Sequence, residues 1–227
     1  MQGRIPGPLP EGLTVIETMR RDADGRIRLW PLHLQRLRRD CVAVGFPLDE
    51  KQVLDRLSRL PAGKALRLRL SVAGDGAVEL VHQPLPAHPP EWRVDISGVR
   101  IDSGDAWVRI KTSNRPIYDR ARAAMPDGID ETILLNERGE VCEGTITNLF
   151  LCRDGRLLTP PLACGLLPGV LRAALIEEGR ALEAMLTPDD LMEGPLLMGN
   201  ALRGLIPARL VTPCSGGLQD RLVRSAC

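Results

Sequence analysis

The sequence predicts a mixed α/β chain of the α+β type, in two parts, and three observations carry that expectation. Period-two alternation of apolar and polar residues recurs along its length, a few segments space their apolar residues as a helix does, and Pro84-Leu85-Pro86-Ala87-His88-Pro89-Pro90 separates a mixed first part from a strand-dominated second. Prolines in that number cannot donate the run of backbone hydrogen bonds that a sheet needs. The expected organisation is a small α/β domain over residues 1–84, a linker over 85–91 and a large domain over 92–227.

The elements follow in order. Leu13 to Met19 alternates, breaks at Asp24-Gly25 and resumes over Arg26 to Trp30, which reads as a β-hairpin. Leu34, Leu37, Cys41 and Val44 recur at helical spacing before Gly45, so His33 to Val44 is expected to be a helix closed by a left-handed glycine. Asp49 is placed to cap a second helix, with Gln52 reaching back and Val53, Leu54, Leu57 and Leu60 buried. A hairpin is expected from Ala65 to Val72, through Gly74-Asp75-Gly76, into Val78 to His82. Beyond the prolines the pattern gives strands Trp92 to Ile96 and Ala106 to Ile110, helix Pro116 to Ala124, a hairpin from Glu131 to Leu135 through Arg138-Gly139 to Val141, and strand Leu149 to Cys152 turning at Asp154-Gly155. Helices Pro168 to Gly179 and Thr187 to Met192 close the series, the second opened by a threonine cap and two aspartates that favour the positive end of a helix dipole.

Composition excludes several classes. The 227 residues are 44% hydrophobic and 26% charged, as in an ordinary globular protein, and 30 basic against 29 acidic side chains leave no field to attract nucleic acid or an anionic membrane. No apolar run is long enough to cross a bilayer, and Met1-Gln2-Gly3-Arg4-Ile5-Pro6 lacks the apolar core of a signal peptide, so a cytoplasmic location is expected. Cys41, Cys142, Cys152, Cys164, Cys214 and Cys227 include no C-x-x-C pair and no metal-ligand spacing with His33, His82 or His88; reduced structural thiols and no metal are expected.

Lysine is scarce, occurring only at positions 51, 64 and 111. Lys111 follows the expected strand Ala106 to Ile110, at a sheet edge, where an amine can attack a carbonyl and later carry a proton, although position alone better describes a solvated surface lysine. Glu143 opens Glu143-Gly144-Thr145-Ile146-Thr147-Asn148-Leu149-Phe150 and is either a carboxylate with a chemical task or turn chemistry before a strand. Pro168-Gly169-Val170-Leu171 begins a helix whose free amides could cradle a phosphate, and it is equally an ordinary loop-to-helix junction. Arg36, among Arg38 and Arg39, suits a phosphate but also an exposed helix face, and Asn200 either donates to a ligand or makes a turn.

Taken together, Lys111, Glu143, Asn148-Leu149-Phe150, Leu158-Thr159-Pro160 and Gly165 to Arg172 resemble the class IV aminotransferases, the fold type IV enzymes of pyridoxal 5'-phosphate (PLP), over most of the chain. The resemblance implies a small α/β domain joined to a larger β-barrel-like, PLP-binding domain with flanking helices, and the cofactor in the cleft between them. It implies that Lys111 is the catalytic Schiff-base lysine, that Glu143 partners the pyridine nitrogen, and that Leu167 packs on the ring. Arg36, Gly169, the backbone at Val170 and Leu171, and the Asn200-Ala201 turn would hold the phosphate, with Asn148 also at the cofactor. A homodimer with shared active sites and a small-molecule amino substrate are implied as well.

Within that family, Lys111-Thr112-Ser113-Asn114-Arg115 and Gly199-Asn200-Ala201-Leu202 resemble aminodeoxychorismate lyases, which form 4-aminobenzoate and pyruvate for folate biosynthesis, more than branched-chain or D-amino-acid transaminases. Ile16-Glu17-Thr18-Met19-Arg20 with His33-Leu34-Gln35-Arg36-Leu37 points the same way. Thr18, Arg20, Asn114, Arg115 and Arg203 are the substrate-binding candidates, the arginines as carboxylate partners or as surface charges. The alternatives are a transaminase and a PLP-binding homologue without catalysis. The family's glycine-rich D-G-x-F-E-T segment stands here as Gly12-Leu13-Thr14-Val15-Ile16-Glu17-Thr18, a departure that bears on specificity.

Overall fold

The computed structural model describes residues 5, 7–87, 89–214 and 217–220; Met1 to Arg4, Pro6, His88 of the expected linker and Cys227 lie outside them. The chain forms two compact units, one of Met1–Ala87 with Ala106–Asn114 and one of His88–Asp105 with Arg115–Cys227.

The first unit contains β1 (Thr14–Arg21), α1 (Trp30–Val44), α2 (Glu50–Ser58), β2 (Leu66–Ala73) and β3 (Val78–Pro84), its strands antiparallel in the order β1-β2-β3. Alternation on β2 sends Leu66, Leu68, Leu70 and Val72 to one face, where they pack with Val15 and Met19 of β1 and with Leu37, Cys41 and Val44 of α1. Gly45 ends α1 at φ 77°, as the pattern requires. The Asp49 carboxylate caps α2 by accepting from the N–H groups of Lys51 and Gln52 (2.9 and 3.2 Å), worth roughly 1 kcal/mol.

Four local expectations for this unit are corrected. The opening hairpin is short: β1 pairs along its length with β2, its return is limited to the bridge of Arg21 with Ile27, flanked by Asp22 N–H on the Arg26 carbonyl (2.9 Å) and Arg28 N–H on the Arg20 carbonyl (3.0 Å), and Trp30 already belongs to α1. The Asp22 carboxylate, which takes Arg20 and Arg28 at 2.7 Å each, and Leu29 at φ 55° end any second strand before it forms. Gln52 accepts from the Val78 N–H (2.9 Å) rather than reaching back, and Leu54 is 51% exposed because the buried side of α2 is narrowed to Val53 with Leu57 and Leu60 partly covered. Ala106–Arg109 is a 3-10 turn, closed by Ile110 N–H on the Trp107 carbonyl (3.3 Å), which buries Val108 and Ile110 much as alternation on a strand would.

The second unit runs β4 (Trp92–Ile101), α3 (Pro116–Ala123), β5 (Glu131–Asn136), β6 (Val141–Gly144), β7 (Asn148–Arg153), β8 (Arg156–Thr159), α4 (Val170–Glu177), β9 (Ala181–Glu183), β10 (Leu196–Asn200), β11 (Gly204–Cys214) and β12 (Gly217–Asp220). Strand order β10-β11-β4-β5-β6-β7, with β10 also pairing β7, closes a six-stranded barrel, from which β8, β9 and β12 continue. Leu149 and Leu151 point into the barrel core with Ile133, Val141, Met198 and Ile206, while Phe150 points outward to Leu175 and Leu171 of α4. Burial on both sides explains why β5 and β7 read as nearly continuous apolar runs.

Here α4 starts at Val170 with Gly169 as its cap residue, and the expected helix over 187–192 is a 3-10 turn at Asp190–Met192. The Asp190 carboxylate folds back onto the Thr187 N–H and hydroxyl (2.7 and 2.8 Å), and Gly194-Pro195 follows before another helical turn can build. Cys41, Cys142 and Cys164 are free and buried, whereas Cys152 is disulfide-bonded, against the expectation of reduced thiols throughout. Pairing depends on which sulfurs the fold brings together, which chain spacing does not show. Among the described residues no helix is long and apolar enough to cross a membrane, and no cluster of His, Cys, Asp or Glu could hold a metal ion.

Candidate active site

In the first unit, Lys111 lies in a short extended segment running antiparallel to β1. Val15 bridges Thr112, Ile16 N–H donates to the Lys111 carbonyl (2.8 Å), and Ser113 N–H donates to the Thr14 carbonyl (2.9 Å). The Lys111 N–H instead turns to the carboxylate of Asp40 on α1 (2.8 Å), which is wholly buried and whose pKa burial raises, against the lowering effect of Arg39. A ladder on one side and a buried carboxylate on the other therefore fix the backbone that carries the amine.

Arg36 is held by Glu17, to which its Nε and Nη2 donate (2.8 and 2.6 Å), while His33 Nδ1 meets the same carboxylate at 2.7 Å. All three residues are buried. Burial alone would raise the Glu17 pKa, but the charge and hydrogen bonds of Arg36, with those of His33, outweigh it and bring the value to about 2. Thr18 and Arg20 follow on β1, the latter donating to Asp22. Asn114 lies at the end of the Lys111 segment, its N–H on the Thr112 hydroxyl (3.3 Å).

In the second unit, Glu143 sits on β6 at 3% exposure. Its carboxylate accepts from the Tyr118 hydroxyl (2.7 Å), the Leu167 N–H (2.9 Å) and the Asn148 side-chain amide (3.2 Å), three donors that favour the anion. The Tyr118 pKa is raised well above its ordinary value by burial and then by the Glu143 charge, which keeps the phenol a donor. Asn148 also donates to the Leu167 carbonyl (3.0 Å), tying β7 to the loop before α4. Gly169 has to be glycine, since a Cβ there would come within 1.8 Å of Asn148 Oδ1. No side chain caps α4, so its first amides, at Val170 and Leu171, have no intrahelical partner and suit an anion.

Between Glu143 and Asn148 the chain turns tightly around Glu131, whose carboxylate is fully buried. It accepts from the N–H and hydroxyl of Thr145 (3.1 and 2.6 Å), the Ile146 N–H (3.0 Å) and the Thr147 hydroxyl (3.1 Å). Arg115 donates to the Thr145 carbonyl and stacks over Tyr118 (4.6 Å), and Asn200 donates to the Ile146 carbonyl (3.1 Å). Asn200 also accepts from the N–H groups of Leu202 and Arg203, which shapes the turn containing Ala201, and the Arg203 guanidinium lies 5.6 Å from the Trp92 ring centre.

The sequence model described as amino-transferase class IV matches residues 14–211, from β1 to β11. The chain belongs to the class IV aminotransferases. A Schizosaccharomyces pombe protein named "Putative aminodeoxychorismate lyase" is 30% identical over 200 residues, 83% of this chain and 86% of that one. Among solved structures, a "Putative amino-acid aminotransferase" from Mesorhizobium loti is 43% identical with a TM-score of 0.82, covering 88% of this chain and 100% of its own. The 4-amino-4-deoxychorismate lyase of Pseudomonas aeruginosa is 25% identical with a TM-score of 0.74, covering 90% and 88%. The fold is thus that of the type IV PLP enzymes, and PLP is the cofactor of the family to which this class IV enzyme belongs.

Of the positions expected from sequence, the second unit brings Glu143, Asn148, Leu167 and Gly169 into direct contact, and the first places Lys111, Thr18 and Arg20 on one small sheet. The sequence assigned no role to Asp40, Glu17, His33, Tyr118 or Glu131. Glu17 and His33 stood in quoted motifs without a task, and Glu131 left a signal as a charged residue opening a strand whose centre, Ile133 to Leu135, is apolar.

Proposed function

We propose that this class IV PLP enzyme is a 4-amino-4-deoxychorismate lyase, releasing 4-aminobenzoate and pyruvate. The observation that carries it is the likeness to the Schizosaccharomyces pombe relative over most of both chains. When bound, PLP withdraws electrons from the carbon skeleton of an amine joined to it. Lys111 is proposed to hold the cofactor covalently and, once the substrate amine has displaced it, would take the ring proton at its freed Nζ and return it to the departing pyruvate, a task that suits an amine whose backbone is pinned. Glu143 is proposed to keep the pyridine nitrogen protonated: a buried carboxylate already held by a phenol, a backbone N–H and an amide is a fixed negative charge. Arg36, Gly169, Val170, Leu171, Asn200 and Ala201 are proposed for the phosphate, with Leu167 against the ring. Thr18, Arg20, Asn114, Arg115 and Arg203 are proposed for the substrate, and the working form for a homodimer in the cytoplasm.

A transaminase is the second reading, favoured by the Mesorhizobium loti likeness. One experiment separates them. The absorption spectrum of the protein with PLP is recorded, then aminodeoxychorismate is added, then an amino-acid and keto-acid panel, with Lys111→Ala as control. The lyase reading expects a cofactor band missing in the variant and 4-aminobenzoate and pyruvate in equal amounts from the wild type. Bleaching by amino acids alone would make it a transaminase, and the absence of any band would remove the proposed role of Lys111.

A further inference from the structure

Both peptide groups that flank the Cα of Lys111 are held, and by different elements of the first unit. On the C-terminal side the Lys111 carbonyl accepts from the Ile16 N–H of β1 (2.8 Å). The bridge of Val15 with Thr112 puts Ile16 opposite Lys111, so the Ile16 carbonyl is the acceptor that the ladder offers to the Lys111 N–H. That N–H goes instead to Asp40 Oδ2 on α1 (2.8 Å). Arg39, the residue before it, donates from Nε to Asp40 Oδ1 and from Nη2 to the Arg109 carbonyl (2.8 and 3.3 Å). Neighbouring residues of one helix thus grip the main chain at 109 and at 111.

A carboxylate is a costly substitute for a carbonyl. Asp40 is wholly buried, and taking a charge out of water costs several kcal/mol before its partners offset it. Stability alone favours the neutral ladder bond, so the exchange points to a task in direction rather than in cohesion. Ile110 and Thr112 pack inward at 4% and 1% exposure, and Lys111 between them leaves on the opposite face, which β1 continues with Thr18 and Arg20. With both flanking peptide planes fixed, the Cα–Cβ bond of Lys111 has one direction. A rotation of about 20° in the plane before it would swing an extended lysine amine by roughly 2 Å.

We propose that Asp40 is a positioning residue for the amine: by taking the Lys111 N–H away from the sheet it aims Nζ, and Arg39 holds it to that task. The inference rests on Lys111 being the reacting amine, and it holds for a lyase and a transaminase alike. The first step it governs is formation of the covalent link, in which Nζ adds to the aldehyde carbon of PLP and the aldehyde oxygen leaves as water. Misplacing a reacting group by 1 Å costs on the order of 100-fold in rate. Affinity for the cofactor before the link forms does not depend on that aim.

The test mixes PLP with the cofactor-free full-length protein and follows the cofactor band in a stopped-flow instrument, which separates the rate at saturation from the concentration that half-saturates it. Asp40→Ala is expected to form the band about 10- to 100-fold more slowly with the half-saturating concentration little changed. Asp40→Asn, which keeps an acceptor oxygen for the Lys111 N–H, should stay within about threefold of the wild type. In a Lys111→Ala background, calorimetry should find the same PLP affinity with and without Asp40→Ala, because a residue that acts through Lys111 has nothing left to act on. A wild-type rate in Asp40→Ala, equal slowing in Asp40→Asn, or weaker PLP binding in the Lys111→Ala background would each overturn the proposal. Melting temperatures show which variants fold; if Asp40→Ala does not, Arg39→Gln is expected to slow the band roughly three- to tenfold in the same pattern, and an unchanged rate there overturns it too. A band in Lys111→Ala removes the role of Lys111 and this inference with it, whereas a band absent there and unaltered in Asp40→Ala removes this inference alone.

Discussion

At the scale of single residues, the chemistry of this protein is arranged through buried carboxylates with assigned donors. Glu17 is the case with a measurable consequence. Its pKa falls from 4.5 to about 2 on folding, so the folded state prefers the ionised form, and the resulting stabilisation is complete above the unfolded value and lost as pH falls from about 4.5 towards 2. Glu17→Gln should be less stable at neutral pH, by on the order of 3 kcal/mol, and should show a shallower loss in that acid window. Urea midpoints recorded from pH 7 to pH 2 check this; parallel curves for the two proteins would refute it. The sequence showed Arg36 but gave no reason to pair it with a residue on another element. That pairing, like those of Asp40 with Lys111 and Tyr118 with Glu143, appears only once strands and helices are placed.

At the scale of elements, the turn from β6 to β7 joins Glu143 to Asn148, and Glu131 holds it from within. A glutamine at position 131 keeps the size but brings an NH2 group against donors, leaving at least one buried N–H or hydroxyl unsatisfied. Glu131→Gln is expected to lose about 1–3 kcal/mol of stability and to weaken PLP binding severalfold. Melting temperature and a spectroscopic PLP titration read the two effects, and a variant as stable as the wild type with unchanged affinity would show that the turn holds itself. Elements with one buried face, such as α1 and the β2–β3 hairpin, were legible from their periodicity. The 3-10 turns at Ala106–Arg109 and Asp190–Met192 were not, because four residues of alternating burial, or a cap with no room after it, look the same in sequence as a strand or a helix.

At the scale of the whole molecule, the chain forms one unit around a three-stranded sheet and another around a closed six-stranded barrel, each with its own apolar core. The proposed homodimer is tested by sedimentation at several concentrations: a mass near twice 24.9 kDa throughout is expected, and a concentration-independent monomer would remove it. Mixed α/β content, the strand-rich second part and the motif residues were determined by the sequence itself, since side-chain period and turn chemistry are local properties. Closure of the barrel through β10 and β7 and the face that Lys111 shares with Thr18, Arg20, Arg67 and Arg69 were decided by tertiary structure alone. Each depends on which strand pairs with which and in what register, and a one-residue slip would turn every one of those side chains to the opposite face.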